Sequence, residues 1–234
     1  MSDGADEPAG ADEVGPTEWG AEREVGVGPW PGGPERWPDD PRYDPELLAA
    51  GDRRNVVDRY RYWRREAVVA DLDTRRHPFH VAVENLRHDA NIGTVVRTAN
   101  AFAAEAVHIV GRRRWNRRGA MVTDRYQHVR HHDDVPSLAA YLHGLPAPVR
   151  LLGIDNLPGS LHLETADVPE RVCFLFGQEG PGLSAAAREV CDGTLSIAQF
   201  GSTRSINASS AAAIAMHGWV RAYADLSGDA AWRG

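Results

Sequence analysis

From Pro78 to Tyr223 the chain alternates short apolar runs with segments of helical periodicity. A parallel sheet wrapped by helices satisfies that rhythm, because each strand then hides both faces and each helix hides one stripe. The run Val172-Cys-Phe-Leu-Phe176, nearly all apolar, is its strongest instance. Strands are predicted at 79–83, 106–110, 126–130, 149–154, 172–176 and 194–197. Helices are predicted at 90–102, 136–143, 184–191 and 206–223, with Ser184 suited to cap the third. The fold class is therefore α/β, a parallel sheet with helices on both faces.

At 234 residues the chain has room for one substantial domain, or a domain with an appendage. No apolar run approaches the ~20 residues that span a bilayer. The acidic N-terminus lacks the apolar core of a signal peptide. Cys173 and Cys191 form no Cys-x-x-Cys pair, which excludes a disulfide scaffold or a zinc finger. A reducing cytoplasm is the expected setting.

The net charge of −7 conceals a division. Residues 1–52 hold 14 Asp and Glu against 3 Arg, whereas the remainder holds 19 acids against 23 Arg, and no Lys occurs anywhere. An acidic segment thus precedes a mildly basic body, whose charge, unlike that of the whole chain, does not argue against nucleic acid. Residues 1–45 are rich in Gly, Pro, Asp and Glu, carry Trp19, Trp30 and Trp37, and show no periodicity. They are expected to be mostly disordered. Residues 46–75 are expected to form a basic helical extension, with Val56, Val57, Tyr60 and Trp63 at helical spacing across 55–66. Its arginines either solvate one face or grip a phosphate backbone. The main domain is placed at 76–226 and a tail at 227–234.

Three clusters lie where an α/β fold puts its ligand sites. Asn85-Leu-Arg-His-Asp-Ala-Asn-Ile-Gly-Thr-Val-Val-Arg97 leaves one strand and enters a helix. Asn91 and Gly93 suit a tight turn there. Arg97 sits among apolar neighbours, so it either pairs with an acid such as Glu179 or faces a polar cleft. Phe176-Gly-Gln-Glu-Gly-Pro-Gly182 is a glycine loop after a buried strand, with neither the lysine of a P-loop nor the spacing of a dinucleotide fingerprint. Ile197-Ala-Gln-Phe-Gly201-Ser-Thr-Arg-Ser205-Ile-Asn207 is a polar loop that opens a small-residue helix, where Ser205 and Asn207 can cap orphan amides.

In order and spacing, these clusters resemble the three motifs of the SpoU/TrmH family, SPOUT-class RNA ribose 2′-O-methyltransferases. The resemblance covers about residues 78–224. It implies a SPOUT-type α/β knot with a C-terminal trefoil, an exception to the general rule against threaded connections. It also implies S-adenosyl-L-methionine as methyl donor, an RNA substrate and a homodimer. By position, Gly177, Ile197 and Ile206 would contact the donor. Asn91, Arg97, Glu179, Ser205 and Asn207 would surround the reaction centre, with Arg97 central. An arginine is a poor proton acceptor, so Arg97 is expected to hold a phosphate and stabilise charge on the ribose oxygen. A phosphate oxygen or Glu179 would then take the proton. Two departures stand out: Ile197-Ala-Gln199 where the family usually reads Ile-Pro-Met, and Ser205-Ile-Asn207 for Ser-Leu-Asn.

The run Arg112-Arg-Arg-Trp-Asn-Arg-Arg118 has five arginines and no interleaved acid. Arg112, Arg113, Arg114, Arg117 and Arg118 are expected to contact RNA phosphates. The segment 123–132 is more similar to the tRNA-methylating branch, which favours tRNA over ribosomal RNA. His128, His131 and His132 alternate badly for metal ligation on a strand, so no metal is expected. Two other classes stay open: a catalytically silent RNA-binding module on the same fold, and a base-nitrogen methyltransferase.

Overall fold

The computed structural model describes residues 26–84, 89–111 and 114–227. Its centre is a sheet of seven parallel strands: β1 (His77–Glu84), β2 (Ala104–Val110), β3 (Val129–His132), β4 (Arg150–Ile154), β5 (Leu161–His162), β6 (Val172–Phe176) and β7 (Gly193–Ser196). The spatial order is β3-β2-β1-β6-β4-β7-β5. The chain runs outward from β1 to β3 and then resumes at β4, on the other side of β6. Such a change of direction opens a crevice at the carboxyl ends of the central strands.

All five residues of β6 are buried, which its apolar run demands, since helices cover both faces. On one face, Phe79, Val81 and Val83 of β1 and Phe174 of β6 pack under α3 (Asp89–Ala101) and α6 (Ala208–Tyr223). On the other, Ala82, Cys173 and Leu175 pack under α4 (Val135–His143) and α5 (Ala185–Val190). Each fully buried Val, Leu or Phe contributes roughly 1.5–3 kcal/mol. Ser184 caps α5, its Oγ accepting from Ala187 N at 3.1 Å. Among the described residues no helix is long and apolar enough to cross a membrane.

The N-terminal region departs from expectation in two ways. The helix expected over 55–66 is replaced by a short turn at Asp58–Tyr60 and a later helix, α2 (Arg65–Asp73). Tyr62 interrupts it with φ 63°, held by its N–H on the Asp52 carboxylate at 2.9 Å and its hydroxyl on Gly28 O at 2.6 Å. These long-range bonds override local periodicity. Residues 26–45, expected to lack structure, are tied down by the same groups. Trp30 lies edge-on to Tyr43 and Tyr62, and α1 (Pro45–Ala50) follows, capped by Asp44. Tyr60, Trp63 and Val68 form a small separate core, closed by Tyr126 from the main domain.

Candidate functional site

A cleft of about 650 Å³ opens at the carboxyl ends of β4, β6 and β7. Its floor is apolar, with Ile154, Phe176 and Ile197 buried, because the first two end β4 and β6 and the third directly follows β7. Its rim comes from the three sequence clusters. Asn91, Gly177, Glu179, Ile197, Ser205, Ile206 and Asn207 all line it.

The clusters meet through one side chain. Asn91 Nδ2 donates to Glu179 Oε1, and Asn91 Oδ1 accepts from Asn207 Nδ2 at 3.1 Å. Asn207 is in turn fixed as the N-cap of α6, its Oδ1 accepting from Ser209 N at 2.8 Å. A cap contributes about 1 kcal/mol, and here it also sets the direction of the amide that reaches Asn91.

The glycine loop folds back on itself: Gln178 N donates to Gly182 O and Gly182 N to Gln178 O, each at 2.9 Å. A Cβ on Gly177 would lie 2.2 Å from the carbonyl carbon of Gly182, so only glycine fits. Asp155 locks the far side, its Oδ2 accepting from Leu183 N at 2.9 Å.

Asn91 and Gly93 do not form the expected turn. Both lie within α3, and Gly93 serves close packing instead. A Cβ there would come within 2.7 Å of the backbone of Gly119 and Ala120. The turn Arg117–Ala120 that ends the arginine loop therefore rests directly on α3. Arg114, Arg117 and Arg118 are exposed, with Arg117 3.4 Å from Asp124. Arg112 and Arg113 lie outside the described residues.

Arg97 is placed differently from the other site residues. It is exposed on α3, outside the cleft lining, ~9 Å along the helix axis from Asn91. It forms no ion pair among the described residues, so it is not the partner of Glu179. The three histidines go to separate partners: His128 to Asp73, His131 to Gly111 O and His132 to His108.

Sequence reasoning missed Asp155 and Asn156 in the lining, while Gln199, singled out as a departure from the family motif, is part of it. Both missed residues follow the apolar run that ends at Ile154, and that position at a strand's carboxyl end was the available signal.

Residues 78–217 match the family model described as SpoU rRNA Methylase family. An uncharacterized tRNA/rRNA methyltransferase of Mycolicibacterium vanbaalenii is 29% identical over 188 residues, covering 75% of this chain and 58% of its own. The tRNA (guanosine(18)-2′-O)-methyltransferase of Escherichia coli K12 is 26% identical over 157 residues, covering 65% of this chain and 68% of its own. The SpoU methyltransferase AviRb from Streptomyces viridochromogenes, solved with AdoMet, superposes with a TM-score of 0.57 at 25% identity, covering 65% of this chain and 60% of that one. The chain spans about half the length of the mycobacterial relatives it matches.

Proposed function

Because the chain belongs to the SpoU rRNA methylase family, we propose that it transfers a methyl group from S-adenosylmethionine to a ribose 2′-hydroxyl of RNA. The observation that carries this reading is the Glu179–Asn91–Asn207 chain, which joins all three clusters at the rim of one cleft.

The cleft suits the donor. Its volume is within the ~300–1,000 Å³ of small-ligand sites. Ile154, Phe176, Ile197 and Ala211 offer apolar walls to a flat heterocycle. A Cβ on Gly180 would meet nothing within 4 Å, so the loop backbone is open to a ligand there. Asp155 and Glu179 supply negative charge for a sulfonium and an ammonium group. Gly177, Ile197 and Ile206 would hold the donor mainly through backbone and apolar contact. When bound, the donor supplies an electrophilic methyl with a neutral thioether as leaving group.

Arg97 grips the phosphate next to the target ribose with its two-pronged guanidinium and stabilises negative charge on the attacking oxygen. Its exposure and lack of an ion partner among the described residues leave it available for that role. Asn91 orients Glu179, Ser205 and Asn207 hold the ribose edge, and Glu179 or a phosphate oxygen accepts the hydroxyl proton. Arg114, Arg117 and Arg118, with Arg112 and Arg113, hold the RNA backbone beyond the target. Transfer RNA is the favoured substrate, supported by the likeness to the Escherichia coli tRNA enzyme. A homodimer and the trefoil knot belong to the same proposal, and the exposed Ile214 on α6 is consistent with a partner surface.

The test is transfer of labelled methyl from S-adenosylmethionine to total tRNA and, separately, to ribosomal RNA, with nucleoside analysis. A 2′-O-methylated nucleoside that vanishes with Arg97→Ala supports the reading, and Arg97→Lys should bind donor yet lose most turnover. Equal turnover in Arg97→Lys would rule out the two-pronged role. No donor binding would favour a silent RNA-binding module, and a product still cleaved by alkali at the modified residue would favour base methylation.

A further inference from the structure

At the amino ends of the strands, away from the cleft, lies a second cavity of about 420 Å³. Pro78 and His80 of β1, Ala106 of β2, Val149 before β4 and Arg171 before β6 contribute to it. None of the three family clusters reaches it.

Its charge is positive and partly uncommitted. Arg76 is engaged, donating to Asp73 Oδ1 at 2.6 Å and to the carbonyl of Tyr126 at 2.8 Å. His128 is also engaged, 2.9 Å from Asp73. Arg130 and Arg171, by contrast, are exposed and form no ion pair among the described residues. Glu105, also exposed, is the carboxylate in the lining. Two arginines against one glutamate leave a surplus for an anion. Tyr141 adds an aromatic wall, with the Arg130 guanidinium 5.4 Å from its ring centroid.

His80 completes the set. It is 4% exposed, and its Nδ1 is 3.0 Å from His108 Nε2. His108 Nδ1 is 2.9 Å from His132 Nε2. The three imidazoles form a diagonal row across β1, β2 and β3, with the Tyr141 ring against His108 and His132. A neutral imidazole has one N–H, so both bonds must run in the same direction. In one arrangement His132 donates to His108, His108 donates to His80, and His80 keeps an Nε2–H. In the other, His80 Nε2 carries a lone pair. His80 Nε2 makes no hydrogen bond among the described residues.

We propose that this cavity is a second ligand site that takes a phosphoryl group, bound by Arg130, Arg171 and the Nε2–H of His80. An anion accepts only from the first arrangement, so binding fixes the proton positions in all three rings at once. The chemistry is that of a phosphate monoester or diester, and the volume leaves room for the sugar attached to it. The source is either a free nucleotide or a second stretch of RNA backbone.

The experiment uses the full chain with ¹⁵N-labelled histidine. Inorganic phosphate, uridine 5′-monophosphate and a short oligoribonucleotide are titrated in turn, with potassium chloride at matched ionic strength as control. The expected result is a joint change of the His80, His108 and His132 ring-nitrogen signals, although His132 does not line the cavity. Arg171→Gln, an exposed substitution, should weaken binding at least about tenfold, the worth of a charge-assisted bond. Saturation by the monophosphate assigns the source to a free nucleotide; saturation by the oligomer alone, with the same Arg171 dependence, assigns it to RNA. No histidine response to any of the three, or an identical response in Arg171→Gln, would overturn the proposal.

Discussion

Asn207 Nδ2 donates to Asn91 Oδ1 at 3.1 Å, across a sequence separation of 116 residues. The bond ties the first helix after β1 to the cap of the last helix. Because Asn91 also holds Glu179, the amide is a junction that neither a carboxylate nor an aliphatic side chain reproduces.

Asn91→Asp should therefore be more damaging to turnover than to folding. It puts a second carboxylate beside Glu179 and removes the donor between them. Turnover is expected to fall at least about tenfold, as for one charge-assisted bond lost. The melting temperature should move little, because the site is only half buried. Single-turnover methyl transfer and thermal melting on the same sample check both halves.

Gly177→Ala tests the loop. The new methyl would meet backbone, which cannot swing away as a flexible side chain can. A loss of roughly 1–3 kcal/mol in stability is expected from overpacking, together with loss of S-adenosylhomocysteine binding by calorimetry. Binding at wild-type strength would show that the loop is not the donor's cradle.

Acid should unfold the protein partly through His80. Burial, helped by the charges of Arg130 and Arg171, pushes its imidazole down to about 4 from 6.5. Above pH 6.5 both folded and unfolded forms are neutral. Below it the unfolded chain takes up a proton that the fold refuses, so stability falls as pH drops from 6.5 towards 4. The loss amounts to about 3 kcal/mol at 1.36 kcal/mol per unit. Burial lowers His108 in the same direction. Urea denaturation at pH 7 and pH 4.5 should show a smaller gap for His80→Gln than for wild type.

The N-terminal region depends on Asp52. Fully buried, it accepts from Arg54 Nε at 2.8 Å, Arg54 Nη2 at 2.7 Å and Tyr62 N at 2.9 Å. Burial alone raises its carboxyl, but these hydrogen bonds outweigh it and hold the group below the usual range. Asp52→Ala leaves Arg54 without its partner, a change that costs roughly 3–5 kcal/mol in buried pairs. Hydrogen exchange should speed up across 26–73 while β1 and β6 stay protected. Asp52→Asn keeps part of the acceptor set and should lie between.

Much of this architecture was legible along the chain. Val172–Phe176 is a strand from end to end because a run with no polar position has only one place to go. β5 was not legible: Leu161 and His162 are both exposed and show no alternation. The third strand begins at Val129 rather than 126, because Tyr126 is buried for another reason, as the lid of the N-terminal core. At the site, Asn91, Gly177, Glu179, Ile197, Ser205, Ile206 and Asn207 converge on one cleft, whereas Arg97 lies outside its lining. Asp155 and Asn156 were marked only by their place just past the carboxyl end of β4, with no glycine or motif beside them to draw attention to it. The histidine row was invisible too, since it depends on the register that sets Ala82 beside His108 and Val110 beside His132.

The contact of Gly93 with Gly119 and Ala120 has a consequence for how a substrate is chosen. The arginine turn and the helix of Arg97 are one solid piece, with no side chain between them to act as a cushion. Under the proposed function, an RNA strand gripped at the turn would reach the helix at an interval the protein cannot stretch. Selection among RNAs would then work like a caliper: a molecule would qualify by the distance between two of its points, before any base is read.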